Sequence, residues 1–117
     1  MKIELGQWGE NEAARFLINK GYKLLDKNWR AHPCEIDLVM QDGNEIVFVE
    51  VKTRSGTGFG YPEEAVTPQK LASLSEAGQK YIDNKNLNNH WRIDVVSIIG
   101  NKISGVKDIE HIVGFED

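Results

Sequence analysis

The stretch with the most chemical content is VFVEVKTR, residues 47–54. It is an apolar, strand-forming run in which Glu50 and Lys52 stand two positions apart. Because side chains alternate along a strand, these two charges share one face. Charges inside a buried strand cost free energy unless they are paired or used in chemistry. The residue types therefore leave two interpretations: a salt bridge near the end of a strand, or a catalytic site.

The preceding segment CEIDLVM, residues 34–40, supplies a partner strand. Between the two strands, Asp42-Gly43 is a strong signal for a tight hairpin turn. If this pair forms the turn, Asp37 lies opposite Phe48 and becomes a diagonal neighbour of Glu50, ~7–8 Å away on the same face. A three-residue loop would instead turn Asp37 to the other face. The proximity of the two carboxylates thus depends on the turn.

The same register places a third carboxylate, Glu35, opposite Glu50. Carboxylates that converge on one face repel one another, and oxygen-rich sites of this kind suit a hard cation such as Mg²⁺ or Mn²⁺. A lysine beside such a cation, here Lys52, can orient a water molecule or stabilise negative charge developing on a phosphate. This combination indicates hydrolysis of a phosphodiester bond.

The elements that must position these residues are predicted from periodicity and turn residues. Residues 5–20 favour a helix that ends before Gly21, and Thr67-Pro68 has the pattern of an N-cap followed by proline, opening a second helix at 67–83. A glycine-rich loop is predicted at 55–62. Strands are predicted at 22–30, 34–40, 45–53, 91–99 and 102–106, with a turn at Gly100-Asn101. The order α-β-β-β-α-β-β predicts an α/β fold, a central mixed sheet with a helix on each side.

Composition narrows the class of protein. The chain has 117 residues, 40% of them hydrophobic and 27% charged, which predicts one globular domain over residues 1–117. Cys34 is the sole cysteine, so neither an intramolecular disulfide nor a cysteine-rich zinc site is expected. No stretch has the pattern of a signal peptide or membrane span, so a cytoplasmic location without membrane association is the default expectation. The net charge of −4 counts against a protein that coats a nucleic-acid backbone.

Charged residues elsewhere predict structural roles. Arg92 and Asp94 share one face of a strand and are expected to pair with neighbours in the sheet. His32, His90 and His111 have no metal-ligand spacing and are expected at the surface.

The ordered series of motifs resembles a known family. The motifs are GQWGENEAARFL (6–17), GYKLLDKNWR (21–30), EIDLV (35–39), VFVEVKTR (47–54), FGYPEEAV (59–66), Lys70 and RIDVV (92–96). Together they resemble the YraN-like bacterial family, which is similar to archaeal Holliday junction resolvases. Asp37 followed by Glu50-Val51-Lys52 also resembles the D…ExK signature of the restriction-endonuclease-like nucleases. The resemblance implies a restriction-endonuclease-like core for the α/β fold.

The resemblance also implies roles for individual residues. Asp37 and Glu50 would bind Mg²⁺ or Mn²⁺ with the backbone carbonyl of Val51, and Lys52 would position the attacking water or stabilise the transition state. Glu10, on the first helix, matches the glutamate that completes the metal site. The helical pattern alone does not decide whether Glu10 or Glu12 faces the sheet.

Further residues are expected around this centre. Gln69 and Lys70 match the start of a helix that often lends a polar residue to the site, and Glu35 is assigned to the surrounding shell. Arg54 has two open interpretations, contact with a phosphate backbone or no role. Cys34 stands where the family usually has glycine before EID, which puts the shape of that edge in doubt.

Two functions from different classes follow. One is a metal-dependent DNA endonuclease acting on DNA that includes branched, Holliday-junction-like structures, for which symmetric cutting of two strands would require a homodimer. The alternative is a catalytically inactive nucleic-acid-binding or protein-interaction module on the same fold, which the acidic charge and short loops favour. A third interpretation, a scaffold with a structural salt bridge, predicts that neither metal nor DNA binds.

Overall fold

The computed structural model describes residues 4–56, 58 and 60–115. The helices are α1 (Leu5–Asn19) and α2 (Pro68–Asn84), and a short 3₁₀ helix spans Pro62–Ala65. The strands are β1 (Lys23–Ala31), β2 (Cys34–Asp42), β3 (Glu45–Arg54), β4 (Trp91–Asn101) and β5 (Gly105–Ile112). They form one sheet in the order β1-β2-β3-β4-β5, in which only the β3–β4 pair is parallel. The predicted α/β fold and element order are confirmed.

The two helices cover opposite faces of this sheet. On one face, Ala13 and Leu17 of α1 pack in a cluster with Val49 of β3, all of them fully buried. On the other face, Leu74 of α2 packs in a cluster with Phe48. Because β3 is buried on both faces, its sequence is a nearly continuous apolar run rather than an alternating one. The predicted placement of one helix on each side is confirmed.

The helix ends follow local signals. Gly21 has φ 99° just beyond the C-cap of α1, a conformation that glycine adopts without a steric penalty. At the start of α2, the Thr67 hydroxyl accepts a hydrogen bond from the Lys70 N–H at 3.1 Å, and Pro68 occupies the first helical position. Of the predicted loop at 55–62, residues 57 and 59 lie outside the described residues.

The β2–β3 hairpin has a different turn from the predicted one. Asp42 pairs with Glu45, so the two-residue loop is Gly43-Asn44. Gly43 has φ 60° and takes the first central position, where a positive φ is required in a type II′ turn, and this keeps Asp42 in the strand. Phe48 consequently pairs with Val39, so the predicted pairing of Asp37 with Phe48 is wrong.

The predicted ends of β4 and β5 are also wrong. Gly100 and Asn101 belong to β4, where the pairing with β5 shifts between Ile99 and Gly100. The reversal occurs at residues 102–104, and the Asn101 side chain accepts hydrogen bonds from the backbone N–H groups of Ile103 and Ser104 at 2.9 and 2.8 Å. This side-chain turn competes with strand pairing, so β5 starts at Gly105.

A buried polar cluster lies on the α1 face. Asp94, with no exposed surface, accepts hydrogen bonds from Arg92 at 2.9 Å and from the Gly114 N–H at 3.0 Å, so the predicted pairing of Arg92 is confirmed. His111 contacts Asp94 at 2.7 Å and Lys20 at 2.9 Å with a side chain only 1% exposed, so its predicted surface position is wrong. Burial would raise the pKa of Asp94, but these hydrogen bonds outweigh it and lower the pKa.

No helix among the described residues is long and apolar enough to cross a membrane.

Candidate active site

Asp37 lies where β2 and β3 stop pairing. The ladder between these strands ends at the Leu38–Val49 pair, one position before Asp37 would stand opposite Glu50. Beyond this point, the Val51 N–H donates a hydrogen bond to Oδ2 of Asp37 at 2.8 Å. The carboxylate thus takes the place of a backbone acceptor at the end of the ladder. The register differs from the predicted one by two residues and brings the Asp37 carboxyl beside Glu50, in the gap where the two strands separate.

The backbone of Val51 contributes a second polar group. In a strand, the N–H and C=O of one residue point toward the same neighbouring strand. Since the Val51 N–H points to Asp37, its carbonyl oxygen faces the same gap between β2 and β3. This orientation agrees with the role that the family resemblance implies for that carbonyl.

Glu50 is the most deeply buried carboxylate of the site, with 3% of its surface exposed. Its Oε2 lies 3.4 Å from Nζ of Lys52 and 3.8 Å from Nζ of Lys70. Its Oε1 is fully buried and has no hydrogen-bond partner among the described residues. An unsatisfied buried carboxylate oxygen is costly, so this atom marks a place where a further partner would be favourable.

The electrostatics of Asp37 agree with this. Burial is the largest cause that raises its pKa, repulsion by Glu50 is the next, and Glu10 adds to them, while the hydrogen bond from Val51 acts in the opposite direction. The net effect raises the pKa of Asp37 to about 8. A second negative charge beside Glu50 is therefore unfavourable until a proton or a cation compensates it.

Helix α1 directs Glu10, rather than Glu12, toward this site. Oε1 of Glu10 accepts a hydrogen bond at 2.9 Å from the side chain of Asn28 in β1. Glu12 lies 3.5 Å from Arg15 and lines a groove that reaches Val106 of β5 instead. Helix α1 approaches β3 closely because Gly9 carries no side chain: a Cβ there would lie 1.9 Å from Oγ1 of Thr53.

The other predicted residues lie farther out. Glu35 accepts hydrogen bonds from Asn28 at 3.1 Å and Arg30 at 3.1 Å, and has no contact with Glu50. Arg54 is exposed and donates to the backbone carbonyl of Thr53 at 3.1 Å. Gln69 is exposed and makes no side-chain hydrogen bond with the described residues. The structure brings together Asp37, Glu50, Val51, Lys52 and Lys70, with Glu10 at their edge.

Two neighbouring residues were missed by sequence reasoning. Asn28 connects Glu10 to Glu35, and only its positive φ of 50° distinguishes it from other polar strand residues, a property invisible in the sequence. Ser97 pairs with Lys52 across β3 and β4 and donates to Glu63 of the 3₁₀ helix at 2.9 Å. The EE pair in FGYPEEAV was the available signal for Glu63.

The donor set fits a small hard cation. Among residues 4–56, 58 and 60–115, no three His, Cys, Asp or Glu side chains are placed to hold one metal ion together. Mg²⁺, however, binds through one or two carboxylates and keeps several of its water ligands. That requirement is met by Asp37, the Val51 carbonyl and Oε1 of Glu50, which has no partner within the part of the chain that the structure describes.

Comparison with known proteins identifies the family. Residues 9–98 match the model of "Uncharacterised protein family UPF0102". A UPF0102 protein of Syntrophomonas wolfei is 46% identical over 114 residues, which cover 97% of each chain. UPF0102 proteins of Beutenbergia cavernae and Caldicellulosiruptor saccharolyticus are 40% and 41% identical, over 97% and 95% of this chain and 96% and 95% of theirs. The chain therefore belongs to the UPF0102 family.

Proposed function

We propose that this protein is a nuclease that uses Mg²⁺ or Mn²⁺ to hydrolyse phosphodiester bonds in DNA. The observation that carries the proposal is the proximity of the Asp37 carboxyl to Glu50, just beyond the end of the β2–β3 ladder. The pKa of Asp37 is raised to about 8, and Glu50 has a buried oxygen with no hydrogen-bond partner among the described residues. A salt bridge between Glu50 and the lysines leaves that oxygen unsatisfied. A bound cation would both coordinate the oxygen and offset the negative charge of Asp37.

The residues of the site would bind the cation and contact the phosphate. Asp37, Glu50 and the Val51 carbonyl would hold the cation, which when bound would act as a Lewis acid toward a phosphate oxygen and lower the pKa of water. Lys52, 27% exposed, would donate a hydrogen bond to the attacking water or to a non-bridging phosphate oxygen. Lys70, whose Nζ lies 3.8 Å from the same oxygen of Glu50, would contact the phosphate as well.

DNA as substrate is supported by the resemblance of the ordered motifs to the resolvase-like nucleases. The net charge of −4 is less adverse at such a site than over a whole surface. A divalent cation and two lysines make the local charge positive where the backbone phosphate would bind. Because resolvase-like cutting acts on two strands, a homodimer and a branched substrate belong to the same proposal.

The test is incubation of the purified protein with labelled linear and four-way branched DNA in Mn²⁺, in Mg²⁺ and in EDTA. We expect metal-dependent cleavage that Glu50→Gln reduces at least about 100-fold, since one preorganised electrostatic group is commonly worth that factor. Glu12→Gln is the matched control, because it removes a helix carboxylate that lies in a different groove. Absence of cleavage on every substrate, or equal cleavage by Glu50→Gln, would overturn the proposal.

One observation favours the inactive module as a second candidate. Both Lys52 and Lys70 lie near one oxygen of Glu50, so the chain itself supplies positive charge there. A module of this kind would bind DNA equally well in EDTA and in Mn²⁺. Fluorescence anisotropy with labelled DNA under both conditions separates the candidates, because the nuclease requires Asp37-dependent metal binding and the module does not.

A further inference from the structure

Asn28 occupies an unusual backbone position beside the candidate site. Its flanking residues Lys27 and Trp29 pair with Leu38 and Ile36, so Asn28 lies opposite Asp37. It has φ 50°, a left-handed conformation that is uncommon outside glycine and that asparagine tolerates better than most residues. A strand residue held in this conformation marks a position where side-chain placement has taken priority over regular pairing.

The side chain of Asn28 connects two carboxylates. Its Nδ2 donates to Oε1 of Glu10 at 2.9 Å and to Oε1 of Glu35 at 3.1 Å. An amide nitrogen carries two hydrogens, so both contacts can form together. The second oxygen of Glu35 accepts a hydrogen bond from Arg30 at 3.1 Å, so the Glu35 carboxylate is held in place on β2. Glu10, half-buried on α1, has the Asn28 amide as its one hydrogen-bond donor among the described residues.

The geometry points to Asn28 as the residue that holds Glu10 at the edge of the Asp37–Glu50 site, where its carboxylate would bind a water ligand of a divalent cation. This inference rests on the proposed function. The amide binds Oε1 of Glu10, and the other oxygen of Glu10 has no hydrogen-bond donor among the described residues. Because Asn28 lies opposite Asp37, this contact keeps the Glu10 carboxylate beside the site. Without Asn28, Glu10 could turn its carboxylate toward solvent. Residues in the outer shell of a metal site typically contribute about 10- to 100-fold to metal affinity.

The experiment measures Mn²⁺ affinity by calorimetry in the full-length protein. Asn28→Gly removes the amide and keeps the left-handed backbone accessible, and we expect it to weaken Mn²⁺ binding about 10-fold or more. Asn86→Gly is the matched control, because Asn86 has a nearly equal φ of 54° in an exposed turn after α2. Melting curves of the two glycine variants show whether each one folds.

A double-mutant cycle with Glu10→Gln separates positioning from a general structural effect. If Asn28 acts through Glu10, Asn28→Gly should change the Mn²⁺ affinity less than about 2-fold when Glu10→Gln is already present. The two residues are then energetically coupled. An unchanged affinity in Asn28→Gly, or an equal loss in both backgrounds, overturns this inference and leaves the proposed function intact. No Mn²⁺ binding by the wild-type protein, with no cleavage, overturns both.

Discussion

Replacement of Asp37 by asparagine should stabilise the metal-free protein. The pKa of this carboxyl is raised from 3.8 to about 8, so between these values the folded state holds a proton that the unfolded chain has lost. Stability therefore falls as pH rises through this window, by up to about 1.4 kcal/mol per pH unit. Asparagine does not ionise, so the variant avoids this loss of stability with rising pH. Its Oδ1 can still accept from the Val51 N–H, and its Nδ2 can donate to Glu50.

The magnitude follows from the pKa of Asp37. By pH 7, roughly three pH units above the ordinary pKa, the accumulated loss of stability corresponds to roughly 4 kcal/mol. Proton sharing with Glu50 and water entry reduce the effect, so we expect a gain of about 1–4 kcal/mol in the free energy of unfolding. For a chain of this length, this corresponds to a melting temperature at least about 4 °C higher.

The assay is thermal and urea denaturation at pH 6, 7, 8 and 9, with EDTA and with excess Mn²⁺. Wild type should lose stability between pH 6 and 8 in EDTA and regain it in Mn²⁺, because a ligand that binds only the folded state stabilises it. Asp37→Asn should show neither response, and Glu12→Gln should follow wild type. A variant that is less stable than wild type at pH 8 in EDTA would refute this account of the site.

Three further outcomes test the surrounding structure. Gly9→Ala places a Cβ against Thr53 and should destabilise the protein by about 1–3 kcal/mol, whereas Gly6→Ala in the same helix, where a Cβ meets no atom within 4 Å, should be neutral or stabilising in the same melts. Asp94→Asn should cost about 3 kcal/mol at pH 7 by chemical denaturation, and because the pKa of Asp94 is lowered, the wild-type advantage should shrink as pH falls below about 4. Lys52→Met should reduce cleavage about 100-fold and leave Mn²⁺ affinity within a few-fold, as a cleavage assay and a titration would show.

Most of the fold was predictable because its signals are local. The apolar run of β3, the Thr67-Pro68 start of α2 and Gly21 after α1 each depend on residues within one or two turns of chain. The hairpin register was not predictable at the same level, since Asp42-Gly43 and Gly43-Asn44 are both acceptable loops. Asp37 nevertheless lies beside Glu50, because its carboxyl reaches into the gap beyond the last pair of the β2–β3 ladder.

The site was predictable in its centre and less so at its edge. Glu50 and Lys52 share one face of β3 because side chains alternate along a strand, and Asp37 lies just beyond the last pair of the β2–β3 ladder. Glu10 depends on how deeply α1 packs, and Gly9 permits that approach through a contact with β3, distant in sequence. Burial of His111 similarly depends on Lys20 and Asp94 meeting it from other elements. Such positions are determined by tertiary packing, and neither periodicity nor composition encodes them.

Removal of the Lys70 charge should change Mn²⁺ affinity and DNA cleavage in opposite directions. Lys70 lies 3.8 Å from Oε2 of Glu50 and is 36% exposed. If a cation binds at Glu50 as proposed, the Lys70 ammonium group would compete with it for the same carboxylate, and the same group would attract a phosphate of the substrate. Lys70→Met keeps most of the aliphatic length and removes the charge.

We expect Lys70→Met to bind Mn²⁺ about 2- to 5-fold more tightly, equivalent to the ~0.5–1 kcal/mol typical of a solvent-screened pair. Cleavage measured as kcat/KM should fall, because the same charge no longer meets the phosphate. Lys80→Met is the control, since Lys80 lies on α2 and pairs with Glu76 at 3.6 Å, outside the set of residues around Glu50. If Mn²⁺ affinity and kcat/KM both decrease in Lys70→Met, the ammonium group supports metal binding. The expectation that Lys70 competes with the cation for Glu50 is then wrong.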